Sequence, residues 1–155
     1  MIQRTLVVLK PDTIQRKVAG EIISRFERLG YTIIAAKMMN ASEELLFKHY
    51  EGIGALLTRK GQKVFDLTSS MMRGGPVFAM VLEGIEAIDV VRKVVGPTEP
   101  KSAAPGTIRG DYATMSYGYA DANALGVVNL VHASATVEEA EQEIPLWFNE
   151  SEFVK

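Results

Sequence analysis

The pattern of hydrophobic and polar positions divides the chain into alternating strands and helices. Short apolar runs bounded by proline, glycine or polar residues are typical of buried strands, and the chain has four, at residues 5–9, 31–39, 77–82 and 127–134. Between these runs, apolar residues recur every three or four positions, as they do on the buried face of a helix. The helices predicted in this way cover residues 18–29, 40–50, 64–73, 85–95 and 136–144.

Two stretches have no sustained periodicity. Residues 51–62 contain three glycines and predict an excursion along the surface. Residues 97–125 are rich in Gly, Ala, Pro, Ser and Tyr and predict a long loop, of a length that is usually functional or disordered in a compact domain. Pro145 is expected to end or kink the last helix, because proline removes a backbone donor.

The order of elements predicts the fold class. A β-α-β-β-α-β unit with additions is typical of the α+β ferredoxin-like fold, a four-stranded antiparallel sheet with helices packed on one face. Here the additions would be extra helices and a long loop. No repeat or linker interrupts the pattern, so residues 1–155 are predicted to form a single domain. This fold supports many unrelated functions and does not by itself indicate the chemistry.

Composition excludes several classes of protein. With 47% hydrophobic and 23% charged residues, the chain is typical of globular proteins. It has no cysteine, which excludes disulfides, thiolate metal sites and cysteine nucleophiles. The formal net charge of −2 argues against a general nucleic-acid surface. No run approaches the roughly 18 apolar residues of a membrane span, and Met1 leads directly into a strand without a signal-peptide pattern, so a cytoplasmic location is expected.

His132 lies near the end of the fourth strand run, residues 127–134, and is one of two histidines in the chain. A histidine beside apolar residues is more often a hydrogen-bonded core residue than a catalyst. At a strand end, however, its ring would be held rigidly where a nucleophile or proton carrier is useful. The choice between the two interpretations depends on which other residues converge on it.

Several cationic and hydroxyl residues fall where turns are predicted. Lys10 lies at a strand end, Arg92 and Thr98 lie around a helix end, and Arg109 lies in the segment 105–111. Taken singly, each is more typical of a solvated surface, and Arg92 could simply complement a helix dipole. Taken together, the lysine's point charge and the planar donors of arginine suit phosphate oxygens. Beside a histidine, they indicate phosphoryl transfer, which requires fixed cations around the migrating group.

The common phosphate-binding signatures are missing from the sequence. There is no Gly-x4-Gly-Lys-Ser/Thr loop and no Gly-x-Gly-x-x-Gly opening a helix. If a phosphoryl group moves, His132 is therefore the best candidate to carry it covalently. Glu143, about two turns into the following helix, could orient its ring.

Four stretches of the sequence match a known family. The chain resembles nucleoside diphosphate kinases over nearly its whole length, and the four matches occur in the order in which the family has them. They are Arg4-Thr5-Leu6-Val7-Val8-Leu9-Lys10-Pro11-Asp12, Gly20-Glu21-Ile22-Ile23-Ser24-Arg25-Phe26-Glu27, Ala104-Pro105-Gly106-Thr107-Ile108-Arg109-Gly110-Asp111 and Asn129-Leu130-Val131-His132-Ala133-Ser134. Such long matches are more specific than any single short motif, and they favour the catalytic interpretation of His132.

The resemblance implies a ping-pong exchange between nucleotides. A nucleoside triphosphate would phosphorylate His132, and a nucleoside diphosphate would then collect the phosphoryl group. By the same resemblance, Glu143 would orient the histidine, Ser134 would support the site, and Tyr50 would lie near the phosphate end of the nucleotide. The residues that would hold the phosphates and sugar are Lys10, Arg92, Thr98, Arg109 and Asn129. Lys10 would also belong to the catalytic set.

The chain departs from the family pattern at three places. His132-Ala133-Ser134-Ala135 stands where the family has His-Gly-Ser-Asp, and Thr136 is expected to take over the helix cap. The base-stacking aromatic corresponds to Val64, with Phe65 next to it, after about six extra residues. A second expansion, of about ten residues, separates Arg109 from Asn129 and contains three tyrosines. It could pack on a neighbouring subunit, cover the nucleotide or be mobile.

The resemblance also implies partners and a cofactor. Magnesium would bridge the nucleotide phosphates rather than occupy a cage of protein ligands. The substrates would be nucleoside di- and triphosphates, and the assembly would be a homo-oligomer, a tetramer or hexamer built from dimers.

Two other functions are weighed against this one. A weakened relative that binds nucleotides or regulates a partner is motivated by the altered turn after His132 and by the altered base clamp. It is opposed by the intact set of Lys10, Arg92, Thr98, Arg109, Asn129 and His132. A ferredoxin-like RNA-binding module is opposed by the pI of 5.7 and by the lack of an aromatic RNA-binding strand.

Overall fold

A four-stranded antiparallel sheet forms the centre of the computed structural model, which describes residues 1–154. Its strands are β1 (Ile2–Leu9), β2 (Thr32–Met39), β3 (Val77–Ile85) and β4 (Val131–Ala133). They lie in the order β2-β3-β1-β4, with β1 pairing antiparallel to both β3 and β4. The α+β fold class predicted from the sequence is confirmed. The single domain over residues 1–155 stays a prediction.

Helices cover both faces of this sheet. The α-helices are α1 (Pro11–Gln15), α2 (Ala19–Glu27), α3 (Glu43–Phe47), α4 (Leu56–Lys60), α5 (Gln62–Met72), α6 (Ala87–Val95), α7 (Ile108–Tyr112), α8 (Tyr117–Ala122) and α9 (Val137–Trp147). A π-helical turn, Lys48–Ile53, follows α3, and short 3-10 helices cover Pro100–Ser102 and Glu150–Glu152.

Strand β1 is buried on both sides because its apolar residues alternate between two cores. Val7 and Leu9 pack with α2 and α6, whereas Leu6 and Val8 pack with residues of α3, α5 and α9. The sequence predicted helices on one face of the sheet only. This expectation is incomplete, because the added helices cover the second face. A strand between two apolar layers needs apolar residues at every position, which explains its continuous run.

Two segments expected to lack regular structure contain short helices. Residues 51–62 include the end of the π-helical turn and α4, and the stretch 97–125 includes α7 and α8. A helix of five or six residues makes too few turns to show a period of 3.6, so the hydrophobic pattern missed them. Helices α7 and α8 do begin with residue types that favour a helix start. The side chains of Thr107 and Ser116 accept hydrogen bonds from the backbone N–H groups of Gly110 and Tyr119.

Other predicted boundaries also moved. Ile85 ends β3 rather than starting the next helix. The fourth strand is limited to Val131–Ala133, because the chain turns sharply just before it. Pro145 does not end α9, which continues to Trp147, and the Phe148 N–H donates to the Ile144 carbonyl at 2.9 Å. The helix thus extends one turn beyond Glu143, which brings Trp147 to the same face.

The start of α9 is capped by the residue expected from the sequence. The Thr136 hydroxyl accepts from the Glu139 N–H at 3.1 Å, and the Glu139 carboxylate accepts from the Ala135 N–H at 3.0 Å. This pair of bonds resembles a capping box and replaces the missing aspartate. None of the helices within residues 1–154 has the length and apolarity needed to cross a membrane.

Candidate active site

His132 lies at the middle of β4, opposite Val8 of β1. Its neighbours Val131 and Ala133 point into the core beneath the strand, so the histidine points to the other face. Its side chain is 19% exposed, enough for a small group to reach it. The strand thus fixes the backbone of a residue whose ring stays accessible.

Glu143 on α9 holds the ring of His132. Its Oε1 lies 3.0 Å from His132 Nε2, and its Oε2 accepts from the Ser134 hydroxyl at 2.5 Å. Ser134 is fixed in turn by the Leu6 N–H, which donates to its Oγ at 3.2 Å. Burial acts to raise the pKa of Glu143, but the charge and hydrogen bond of His132, together with His49 and Ser134, lower it overall. The carboxylate is therefore ionised at neutral pH.

The contact with Glu143 assigns the tautomer of His132. An ionised carboxylate only accepts hydrogen bonds, so His132 Nε2 carries the proton in the neutral ring. Nδ1 is then left with its lone pair. A histidine in this state is a nucleophile whose ring orientation and proton position are both set by the protein.

Lys10 and Asn129 form a buried pair at the end of β1. The lysine ammonium donates to Asn129 Oδ1 at 2.7 Å, and Asn129 Nδ2 donates to the Thr98 carbonyl at 2.8 Å. Burial and repulsion from Arg109 lower the pKa of Lys10 to about 7, and Asp12 partly offsets this. An anion bound here would restore the charge of the lysine.

Arg109 is more deeply embedded than the sequence suggests. Its guanidinium donates to three backbone carbonyls, those of Gly96 at 3.0 Å, Asn129 at 3.1 Å and Val131 at 2.5 Å. A guanidinium has five N–H groups, so two remain for a ligand. Burial and the nearby Arg92 lower the pKa of Arg109 to about 10. The residue therefore both holds the segment before His132 and supplies a positive charge.

Arg92 and Tyr50 complete the polar lining. Arg92 is half-buried and donates to the Ala133 carbonyl at 3.3 Å, beside His132. The Tyr50 hydroxyl is buried and has no hydrogen-bond partner among residues 1–154, and burial raises its pKa. A buried hydroxyl without a partner is costly, so it is suited to donate to a bound ligand.

A strained turn at Leu130 lies between Asn129 and His132 and sets their relative positions. Leu130 has a φ of 72°, and the Val131 N–H donates to the Asn129 carbonyl at 2.8 Å, which makes a γ-turn. Such a conformation costs about 1–3 kcal/mol and persists only when its surroundings enforce it. Here Asp12 accepts from the Leu130 N–H at 3.1 Å, and the Thr13 hydroxyl donates to the Leu130 carbonyl at 2.7 Å.

The residues expected near the base lie on α5. Val64 is exposed, and Phe65 packs edge-on against Phe47 with ring centroids 5.9 Å apart. The expanded segment before Asn129 passes close to this helix, because a Cβ on Gly126 would lie 3.3 Å from the Leu67 carbonyl oxygen. A role for Val64 or Phe65 in base stacking stays a prediction.

The same expanded segment is also tied to the phosphate side of the site. The Tyr117 N–H donates to a Glu99 carboxylate oxygen at 3.0 Å, one residue beyond Thr98. The segment therefore contacts both α5 and the residue that follows Thr98.

Two further residues of the site were missed by sequence reasoning. The His49 ring lies 4.5 Å from the His132 ring between centroids, and the Trp147 indole N–H donates to His49 Nδ1 at 3.1 Å. These residues are separated by 98 positions along the chain. No local pattern could have brought them together, although His49 is the second of only two histidines.

The fold and the site define a ferredoxin-like α+β domain in which a carboxylate-oriented histidine lies beside buried cations. The family profile described as nucleoside diphosphate kinase matches residues 3–153. A nucleoside diphosphate kinase of Borreliella burgdorferi is 42% identical over 99% of this chain and 92% of its own length. One of Pyrobaculum aerophilum is 40% identical over 99% of both chains.

Solved structures agree with these sequence matches. A nucleoside diphosphate kinase of Borrelia burgdorferi, described as a transition-state mimic with bound vanadate and ADP, superposes with a TM-score of 0.94. It is 42% identical over 99% of this chain and 91% of its own. A halophilic relative from Halobacterium salinarum in complex with CDP has a TM-score of 0.84 at 39% identity, over 100% and 93% of the two chains.

The chain belongs to the nucleoside diphosphate kinase family. It is accordingly a phosphotransferase that acts on nucleotides.

Proposed function

We propose that the chain transfers the terminal phosphoryl group of a nucleoside triphosphate to a nucleoside diphosphate through a phosphohistidine on His132. The observation that carries this proposal is the contact between His132 Nε2 and Glu143, 3.0 Å long, because it leaves Nδ1 unprotonated. In the first step Nδ1 bonds to the γ-phosphorus and the bond to the leaving diphosphate breaks. In the second step a terminal oxygen of another diphosphate attacks the same phosphorus and restores the neutral ring.

The buried cations would stabilise the charge on the migrating group. Arg109 retains two N–H groups, and Arg92 lies beside the Ala133 carbonyl next to His132. Tyr50 would donate its unpaired hydroxyl to a phosphate oxygen. Positioned donors and charges of this kind account for most of the catalysis in phosphoryl transfer. Lys10, Asn129 and Thr98 would hold the sugar and inner phosphates.

Magnesium would arrive on the nucleotide. The groups around the site are mostly cations, and the Glu143 carboxylate is already engaged by His132 and Ser134. This donor set fits an ion carried by phosphate oxygens rather than one held by protein carboxylates. When bound, magnesium would neutralise charge on the phosphates of the substrate.

A relative from Borrelia burgdorferi supports phosphoryl transfer at a nucleotide site, since it was solved with ADP and vanadate as a mimic of the transition state. We also propose that the chain forms a homo-oligomer, a tetramer or hexamer built from dimers. A cytoplasmic location stays a prediction.

The proposal is tested by labelling the protein itself. Incubation with magnesium and γ-labelled ATP is expected to give a phosphoprotein that is labile in acid and stable in base, as a phosphohistidine is. Addition of unlabelled GDP should move the label onto GTP, because the second half-reaction uses the same intermediate. A protein that binds ATP but forms no acid-labile phosphate would contradict the covalent route.

Nucleotide binding should also take up a proton at Lys10. The pKa of this lysine is lowered to about 7 in the free protein, and bound phosphates would raise it. The bound state then holds more protons than the free state above pH 7, so affinity for ADP should fall as pH rises from about 7 to 9, by at most about tenfold per unit. Calorimetry at pH 8 in two buffers with different ionisation enthalpies measures the uptake.

Lys10→Met provides the control for this measurement. The variant has no titrating amine, so proton uptake at pH 8 should disappear and the affinity should become less dependent on pH. Equal uptake by the wild type and Lys10→Met would show that another group titrates.

A further inference from the structure

We propose that His49 is a positioning residue for phosphoryl transfer: Trp147 fixes it as one neutral tautomer, whose Nε2–H lies beside the Glu143 carboxylate that orients His132 and becomes a third donor to it as the phosphoryl group is transferred. The inference rests on the proposed function, since it concerns how the nucleophile is held. It assigns a role to a histidine–tryptophan pair that contributes no group to the nucleotide.

Trp147 sets the proton position on His49. The indole nitrogen can only donate, and it donates to His49 Nδ1 at 3.1 Å. A neutral imidazole that accepts at Nδ1 must carry its proton on Nε2. That nitrogen lies 3.9 Å from Glu143 Oε1, the same oxygen that contacts His132.

A distance of 3.9 Å is longer than a hydrogen bond, but the N–H dipole still attracts a buried carboxylate. Catalytic hydrogen bonds are often long in the free protein and shorten in the complex. As a phosphoryl group bonds to Nδ1, positive charge develops on the His132 ring, and Glu143 must stay ionised to balance it. A third donor favours that ionised state.

His49 must be neutral to act in this way. The charged and titratable groups that face it are His132 on β4, Glu143 on α9, Lys10 at the end of β1 and the adjacent Tyr50. Burial and the neighbouring His132 and Lys10 lower the pKa of His49 to about 3, although Glu143 opposes them. A cationic His49 would compete with His132 for the charge of Glu143 and weaken the orientation of the nucleophile.

The spacing of these groups would also suit a metal ion, because ligand atoms of His49, His132 and Glu143 all lie within 4.8 Å of one another. The contact with Trp147 argues against this use. An ion bound at His49 Nε2 would move the proton to Nδ1, where it would face the indole N–H. The contact between His49 and Trp147 therefore favours His49 Nε2 as a hydrogen-bond donor over Nε2 as a metal ligand.

Two substitutions at one position separate a donor from a filler of space. His49→Gln keeps an N–H donor near Nε2, whereas His49→Phe keeps the ring and its edge contacts without a donor. We expect His49→Phe to slow phosphorylation of His132 in a single turnover by about tenfold or more, as befits the loss of a hydrogen bond to a charged group. His49→Gln should stay within about threefold of the wild type, and neither should change the apparent affinity for ATP.

The pH profile and nitrogen-15 spectra give readouts that a structural role would not move. Loss of a donor raises the pKa of Glu143, so the acid limb of the phosphorylation rate should shift to higher pH in His49→Phe and not in His49→Gln. In the wild type, nitrogen-15 shifts should show His49 neutral with its proton on Nε2. Trp147→Phe should give a mixture of tautomers and a slower phosphorylation.

Several outcomes would overturn the inference. One is equal rates and acid limbs in the Gln and Phe variants, with both folded by thermal unfolding. If the Phe variant does not fold, unchanged rate and spectra in Trp147→Phe would overturn it instead. A wild-type His49 protonated on Nδ1 would overturn the inference about His49, whether or not the protein took up phosphate. A wild type that takes up no phosphate while His49 keeps its proton on Nε2 would instead count against the proposed function.

Discussion

Replacement of His132 by alanine is expected to abolish the phosphoprotein and to slow phosphoryl transfer by at least about 10⁴-fold, because the group that we propose to form the covalent bond is gone. The fold should survive. His132 lies on the accessible face of β4 and hydrogen-bonds through its side chain only to Glu143 among residues 1–154. The measurements are the transfer rate from ATP to GDP and the label retained after acid treatment and after base treatment.

His132→Gln is the matched control for this loss. A glutamine amide can place an N–H near the former Nε2 and so keep a donor to Glu143, but it has no nucleophilic nitrogen. Both variants should therefore be inactive, with the glutamine variant the more stable. If the glutamine variant transferred phosphate at the wild-type rate, direct transfer between nucleotides would replace the covalent route.

Replacement of Arg109 by alanine should lower both activity and stability. Transfer should slow by about 10²- to 10³-fold, because a preorganised charge is removed. The free energy of unfolding should also fall by about 3 kcal/mol or more, since the backbone carbonyls of Gly96, Asn129 and Val131 lose their donor. The two effects are measured by steady-state kinetics and by urea unfolding.

Arg92→Ala provides the comparison. Arg92 is half-buried and makes one weak contact, to the Ala133 carbonyl at 3.3 Å. Its removal should slow transfer with little change in unfolding free energy. If Arg109→Ala were as stable as Arg92→Ala, the carbonyl contacts would contribute nothing to the fold, and an unchanged turnover would remove Arg109 from the site.

The hypothesis of a weakened relative loses one of its two motives, the altered turn after His132, in the structure. Ala133 is buried within β4, and Ala135 donates its N–H to the Glu139 carboxylate. Thr136 caps the helix that carries Glu143. The turn after His132 is therefore completed without the glycine and aspartate of the family pattern.

Most of the fold could be predicted from local patterns. Periods of two and of three to four residues, together with Gly30 and Gly96 at helix ends, gave four strands and five helices in the right order. The pattern did not give α7 and α8, because each makes fewer than two turns. It also predicted that Pro145 would end or kink α9, but the helix continues to Trp147. The proline removes a single hydrogen bond near the end of α9, and packing of Trp147 keeps the helix in place.

The candidate site was only partly accessible from the sequence. Residue type and the family match indicated His132, Glu143, Lys10 and Arg109. In the structure these four residues lie around one candidate site. The role of His49 depends on contacts across 94 positions to Glu143 and 98 to Trp147, which no local pattern contains. The carbonyl contacts of Arg109 were missed for another reason, since a charged residue in a turn gives no sign that its donors face inward.

The γ-turn at Leu130 limits how this protein can change. It places an unfavourable backbone conformation two residues before His132, and four contacts from Lys10, Asp12, Thr13 and Val131 hold it there. A substitution that relaxed the turn would relieve this strain, but Leu130 is fully buried in the core, so the change would lose packing and would also shift Asn129 relative to His132. Relief of strain at this position is therefore offset by lost packing and by a displaced site, so variants selected for heat resistance should collect their changes elsewhere.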